Sequence, residues 1–258
     1  MSVHAVARPA ESTARSRVTF VRLLDVEARR TVSTRAGSLL LTVALAVVVL
    51  GTVAALTLGT PGQVSPTAFL LDVAYPLAVV LPLVAIVIVA ADPRAHGDRT
   101  GARPGQVLGA KALVSAAIAV GVPLLVVALT ALGVLASAAT QGVDAVWDVP
   151  AGQHLRLLLF ALVAMAAGFV AALAARRVPA AVVAYLAVFA GLPLLAGAVA
   201  GTQLGAVISW VDLGSAAYAL QGTTMSGQQW LHLAAASALW LALPAVGGVY
   251  RTLRRHSA

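Results

Sequence analysis

Cysteine is absent from the 258 residues, which excludes a disulfide framework, a thiolate metal site and a cysteine nucleophile. Charge is scarce too. Asp, Glu, Lys and Arg make up 10% of the chain, against about a quarter in soluble domains. No GxxxxGK[ST] phosphate loop occurs, so the chain is not expected to hydrolyse ATP, and a nucleotide drive would have to come from another subunit. The five histidines (His4, His96, His154, His232, His256) are scattered, without HExxH or a carboxylate at ligand spacing, so no metal or other cofactor is expected in this chain. No serine is paired with a base inside the apolar runs, and there is no aspartyl dyad. Catalysis is therefore not expected.

What is abundant is apolar surface: 60% of residues, with a mean hydropathy of +0.95. Such a composition indicates an all-α, polytopic membrane protein. A hydrocarbon core of about 30 Å takes about 20 helical residues. Six runs meet that length: Ser38–Leu58, Thr67–Ala91, Leu113–Ala136, Leu157–Ala175, Val178–Ala200 and Trp230–Val249. The first is too long for the core of a signal peptide, so it is expected to be retained as a span.

The net charge of +8 is an orientation signal, because 16 of the 17 Lys and Arg fall in segments that this topology places in the cytoplasm. No nucleic-acid partner is expected. Gly59 to Pro66, Ala138 to Gln153 and Gly201 to Gln229 carry no Lys or Arg and belong outside, whereas Arg176 and Arg177 form an inner turn. Only Arg156 breaks the pattern, and at the outer end of a span it can snorkel to the headgroups. Both termini are thus expected in the cytoplasm, with the protein in the plasma (inner) membrane.

Outside the spans, residues 1–16 read as a disordered tail and 251–258 as a basic tail, flanking a six-helix transmembrane domain over 38–250. Residues 17–37 read as an amphipathic helix lying in the inner interface. At about 100° per residue, Phe20, Val21, Leu23, Leu24 and Ala28 share one arc, and Arg22, Asp25, Arg29 and Arg30 the other. Glu27 interrupts the apolar arc. An ordinary basic juxtamembrane segment fits the periodicity equally.

Three places are candidate sites. Ala90 to Lys111 is the only long charged segment between two spans, and carries Asp92, Arg94, His96, Arg99, Thr100, Arg103 and Lys111. Asp72, in LLDVAYPL, is the one acid well inside an apolar run, a position suited to a proton relay or cation site. Between spans five and six, Leu204–Trp210 and Leu213–Leu220 are apolar but too short to cross, with Trp210 and Asp212 at their junction. They read either as re-entrant helices shielded by protein or as interfacial helices on the surface. Trp147, Trp210, Trp230 and Tyr218 stand where an aromatic belt would. Pro76, Pro82, Pro123, Pro193 and Pro244 interrupt spans and read as architecture.

Three patches resemble the ABC-2 type permeases, the membrane subunits of ATP-binding-cassette exporters, in particular their actinobacterial branch. The first is Glu27-Ala28-Arg29-Arg30 followed by Ser33-Thr34-Arg35-Ala36-Gly37, similar to the end of the family's interfacial elbow helix. The second is Asp92, Arg99-Thr100, then Val107 with Ala110-Lys111. The third is Trp210-Val211-Asp212-Leu213, Leu239-Trp240, Leu243-Pro244, Gly248, Arg251 and Leu253-Arg254. The chain departs from the pattern in having Asp92 where Glu is usual and a shortened Gly101 to Gln106.

The resemblance implies that the loop after the second span docks on cytoplasmic ABC ATPase subunits, which hold the ATP and Mg. It also implies a second permease copy, or a homologous permease, completing the pathway within the lipid bilayer. Arg22, Glu27, Arg29, Arg30 and Arg35 would belong to the elbow helix, Asp92 to Lys111 to the coupling loop, and Trp210 and Asp212 to an outer re-entrant cap. Two other classes remain open on the residues alone: a proton-coupled secondary transporter working through Asp72, and a non-transport membrane scaffold or immunity protein. Walls of Ala, Val and Leu admit a lipid, a hydrophobic drug or a peptide equally.

Overall fold

The computed structural model describes residues 19–58, 66–90, 103–142, 144, 145, 147, 149–175, 177–222 and 224–254, with side chains except those of 55–58, 66–75, 78, 104, 141 and 252–254. Among the described residues the only regular structure is helical. A 14-residue helix, α1 (Phe20–Ser33), turns through Thr34 into α2 (Arg35–Leu58). Then come α3 (Pro66–Ala90), α4 (Pro104–Gln141), α5 (Ala151–Ala175) and α6 (Val178–Ala198). Two short helices follow, α7 (Gln203–Val211) and α8 (Leu213–Tyr218), the latter closing in the 3₁₀ turn Ala219–Gln221. The last helix, α9, starts as Gly227–Ser237 and ends as Leu243–Arg254.

Among the described residues, five of these, α2, α4, α5, α6 and α9, are long and apolar enough to cross a bilayer. Helix α3 has 25 residues. The chain is therefore a helical, membrane-embedded protein. The expected spans fall on these helices, with displaced ends. Expected to start at Leu113, the third begins at Pro104; expected from Leu157, the fourth begins at Ala151. Both extensions contain polar residues, Gln106 and Lys111 in one and Gln153, His154 and Arg156 in the other, which lower the local hydropathy without ending the helix. Pro104 suits the first turn, where its missing N–H would have no partner anyway, and the Gln106 side chain accepts from Arg103 N at 3.2 Å. The part of the expected loop from Pro104 to Lys111 is thus helix.

Helix α5 is the axis of the bundle: 56% of its apolar window is buried, against 17% for α2, α6 and α9. It packs most extensively on α3. They come close at Gly168 and Pro82, where a side-chain carbon on Gly168 would lie 2.6 Å from Pro82 Cα and nearer still to its carbonyl oxygen. Only hydrogen fits there, consistent with close helix contact through small residues. On one side of this pair Leu81 and Val84 pack with Val48, Val126 and Met165; on the other, Phe160 and Ala164 pack with Tyr185, Phe189, Leu213 and Leu220.

Two of the five prolines mark changes of helical form. A π turn, Ala187–Gly191, precedes Leu192-Pro193 in α6, and another, Ala238–Ala242, precedes Leu243-Pro244 in α9. Proline offers no N–H to the carbonyl four residues back and its ring collides with it, so the turn widens ahead of each. Gly214 of α8 closes on the Phe189 carbonyl, four residues before Pro193.

Gly168→Ala is expected to destabilise the protein by about 1–3 kcal/mol through overpacking, read as a lower Tm in detergent. Gly121→Ala, where an added carbon meets nothing within 4 Å, is the matched control and leaves Tm unchanged or slightly raised.

Candidate functional site

Joints at the arginine-rich end hold α1, α2, α3 and α4 together. Thr34 is extended, and its Oγ1 accepts from Gly37 N at 3.2 Å, capping the start of α2. Gly37 has no side chain because the Thr31 carbonyl of α1 occupies that space. The Thr34-Arg35-Ala36-Gly37 patch is therefore a sharp corner between a short helix and a spanning one.

Helix α1 packs on α4 and α2. The Phe20 ring covers Gly109, its edge 3.7 Å from where a side-chain carbon would stand. The buried line of α1 is Leu23, Glu27 and Thr31, with Leu24 half-buried beside it, whereas Val21 is 74% exposed and Ala28 is also exposed. This corrects the expected face. Half of the apolar arc packs on protein, the other half lies open, and Glu27, expected as an interruption, sits 3% exposed in the packed line. Thr31 Oγ1 donates to the Glu27 carbonyl at 2.9 Å. Arg35, expected in the interfacial helix, opens α2 instead. On the outer edge of α1, Arg29 Nε lies 2.9 Å from Asp25 Oδ1, and Arg22 is exposed.

Lys111 was expected as a loop cation. It is 2% exposed, and its Nζ donates to the Val89 carbonyl at 3.2 Å, 22 residues away in the last turn of α3. An ammonium at a helix C-terminus meets the negative end of the helix dipole and a carbonyl that lacks an intrahelical partner. Val107 and Ala110 are buried on the same side. The Val-x-x-Ala-Lys patch thus clamps α4 to the end of α3. Arg103 stays exposed at the start of α4. Asp92, Arg94, His96, Arg99 and Thr100 lie outside the described residues, as do the tails 1–16 and 255–258; the side chain of Asp72 does too.

At the other end, Asp212 separates α7 from α8 and is 1% exposed. Its Oδ1 caps α8, accepting from Ser215 N at 3.0 Å, while Oδ2 is enclosed with no hydrogen-bond partner. Helix α8 is buried among α5, α6 and α9, whereas α7 exposes Leu204 and Val207. The two helices anticipated here therefore differ: the second enters the bundle and the first stays at its edge. Trp240 Nε1 of α9 donates to the Val211 carbonyl at 2.7 Å, and Trp210 meets His232 edge-on at 4.5 Å between ring centroids. Tyr218, expected in an aromatic belt, packs against Phe160 at 6.0 Å; Trp147, Trp210 and Trp230 are exposed.

Buried polar groups on α4 and α5 went unnoticed in the sequence. Ser115 Oγ, Thr130 Oγ1 and both polar atoms of Gln153 are enclosed with no hydrogen-bond partner. Polar residues at helical spacing with buried apolar neighbours were the available signal. No group of three or more His, Cys, Asp or Glu is gathered among the described residues.

No protein-family model matches the chain, and no curated protein matches it either.

Lys111→Met keeps the bulk but removes a charged donor from Val89, and is expected to cost about 1.5–3 kcal/mol, read as a lower Tm; Arg103→Met leaves Tm unchanged. Trp240→Phe is expected to cost about 1 kcal/mol and to raise hydrogen–deuterium exchange in peptides covering 203–218.

Proposed function

We propose that the chain is the permease subunit of an ABC-2 type ATP-binding-cassette transporter, an exporter of the plasma (inner) membrane with both termini in the cytoplasm. In this reading α2, α3, α4, α5, α6 and α9 are six spans. Helix α1 is the interfacial elbow, and α7 with α8 form the outer re-entrant cap. A separate ATPase binds ATP and Mg, and a second permease, identical or homologous, completes the pathway.

The observation that carries the reading is the clamp of Lys111 on the Val89 carbonyl, together with Phe20 seated on Gly109. A force on the segment joining α3 to α4 enters two spans that are bonded to each other, and α1 leans on the second. The push then moves the helices as a unit, the rigid-body mode of alternating access. Exposed Arg22, Arg29, Arg35 and Arg103 give this end a positive surface suited to anionic headgroups and to an acidic docking face. The patches that resemble the family also have defined physical work here: a helix corner at Thr34 and Gly37, a clamp at Lys111 and a cap at Asp212.

Co-expression with a candidate ATPase that carries a phosphate loop is expected to yield a co-purifying complex whose ATP turnover depends on the permease. The double variant Arg99→Glu, Arg103→Glu is expected to weaken association by about tenfold, equivalent to about 1.4 kcal/mol. If no ATPase co-purifies and transport ignores the charge reversal, the proposal fails.

A further inference from the structure

The two π turns face one cavity. It measures about 150 Å³ and is walled by Ala167, Ala171 and Ala174 of α5 and by Ala184 and Tyr185 of α6. The remaining wall comes from the two widened turns, Phe189 from one and Trp240 from the other, with Leu213 of α8 and Pro244 of α9. π turns make up well under 1% of residues in proteins and often lie at functional sites. Here two, each followed by Leu-Pro, border the same void. Pro193 and Pro244 have no N–H to return to Phe189 and Trp240, which takes away one bond that tightening into α-helix would gain.

The lining is almost wholly carbon, so water would lack the two to four polar partners that it needs. Four alanines keep the space open where any larger apolar residue would fill it. Ala174 and Ala184 at the rim are exposed on the surface of the bundle. In a bilayer an apolar surface of this kind would stand against lipid, and the cavity lies toward the end where α5 stops at Ala175 and α6 starts at Val178.

We propose that this cavity seats the hydrocarbon chain of a membrane phospholipid, entering sideways between α6 and α9. A void of this size accepts a benzene-sized group, about six carbons, which is the end of an acyl chain and not the whole of it. The seat requires only that the helices stand in a bilayer. It is independent of whether an ATPase drives the protein.

The test uses the full chain in nanodiscs doped with phosphatidylcholine carrying a diazirine midway along one acyl chain. After illumination, adducts on 184–189 and 240–244 are expected to be several-fold denser than on the exposed Leu45 and Leu50 of α2. Ala171→Phe, which fills the void, is expected to lower that enrichment to the α2 level with Tm equal or higher. Ala184→Leu, at the rim, decides the matter where Ala171→Phe does not fold. Uniform labelling of the native chain overturns the proposal, as does enrichment that survives in the folded variants. Enrichment seen with a diazirine free fatty acid but not with the phospholipid overturns it as well.

Discussion

A bilayer offers no water to a helix end or a broken turn, so each backbone group there needs a partner from the protein itself. The joints of this chain answer that demand with side chains. Thr34 accepts from the start of α2, Lys111 donates to the end of α3, Asp212 accepts from the start of α8, and Trp240 donates to the end of α7. In each case one bond both closes an open helix terminus and fixes the angle or spacing between two elements. At these joints the chain spends its few polar residues on helix ends.

The bundle between those joints depends on close approach. The Gly168–Pro82 crossing brings α3 and α5 together without side-chain bulk between their backbones. Outer helices then pack on this pair, and their lipid-facing sides need no further specificity. Such a division agrees with α5 being far more buried than α2, α6 or α9. Motion of the α3–α5 pair would carry both apolar clusters with it, while α7, at the edge, is held through α8, the end of α6 and α9, where Trp210 meets His232 and Trp240 tethers Val211.

Much of this architecture is legible in the residues, because long apolar runs can cross a bilayer only as helices. The two short helices around Asp212 were also readable, since neither is long enough to span. Helix starts were misjudged where the first turns hold Gln106 and Lys111, or Gln153, His154 and Arg156: hydropathy reports the hydrocarbon core and not the extent of the helix. Lys111 was read as a surface cation because its partner, Val89, is a backbone carbonyl in another helix, and no local pattern encodes that. Glu27 looked like a flaw in an amphipathic stripe, but the stripe has two halves, one against protein and one open. The prolines were visible as interruptions, whereas the void shared by the two π turns depends on packing across four helices. Of the charged and polar residues named for the coupling segment only Arg103 and Lys111 are described, so the legibility of that site rests on those two.

A π turn holds one more residue than the α turn it replaces, and each residue is worth about 100° of rotation. Beyond Gly191 and beyond Ala242 the helical phase has therefore slipped by one position. Buried Ala181 and Tyr185 are followed in α6 by a segment, Leu192–Ala198, with no buried residue at all. Each of these two long helices thus behaves as a pair of shorter cylinders set end to end and clocked differently. Any heptad-like alignment carried across the slip would assign the wrong faces.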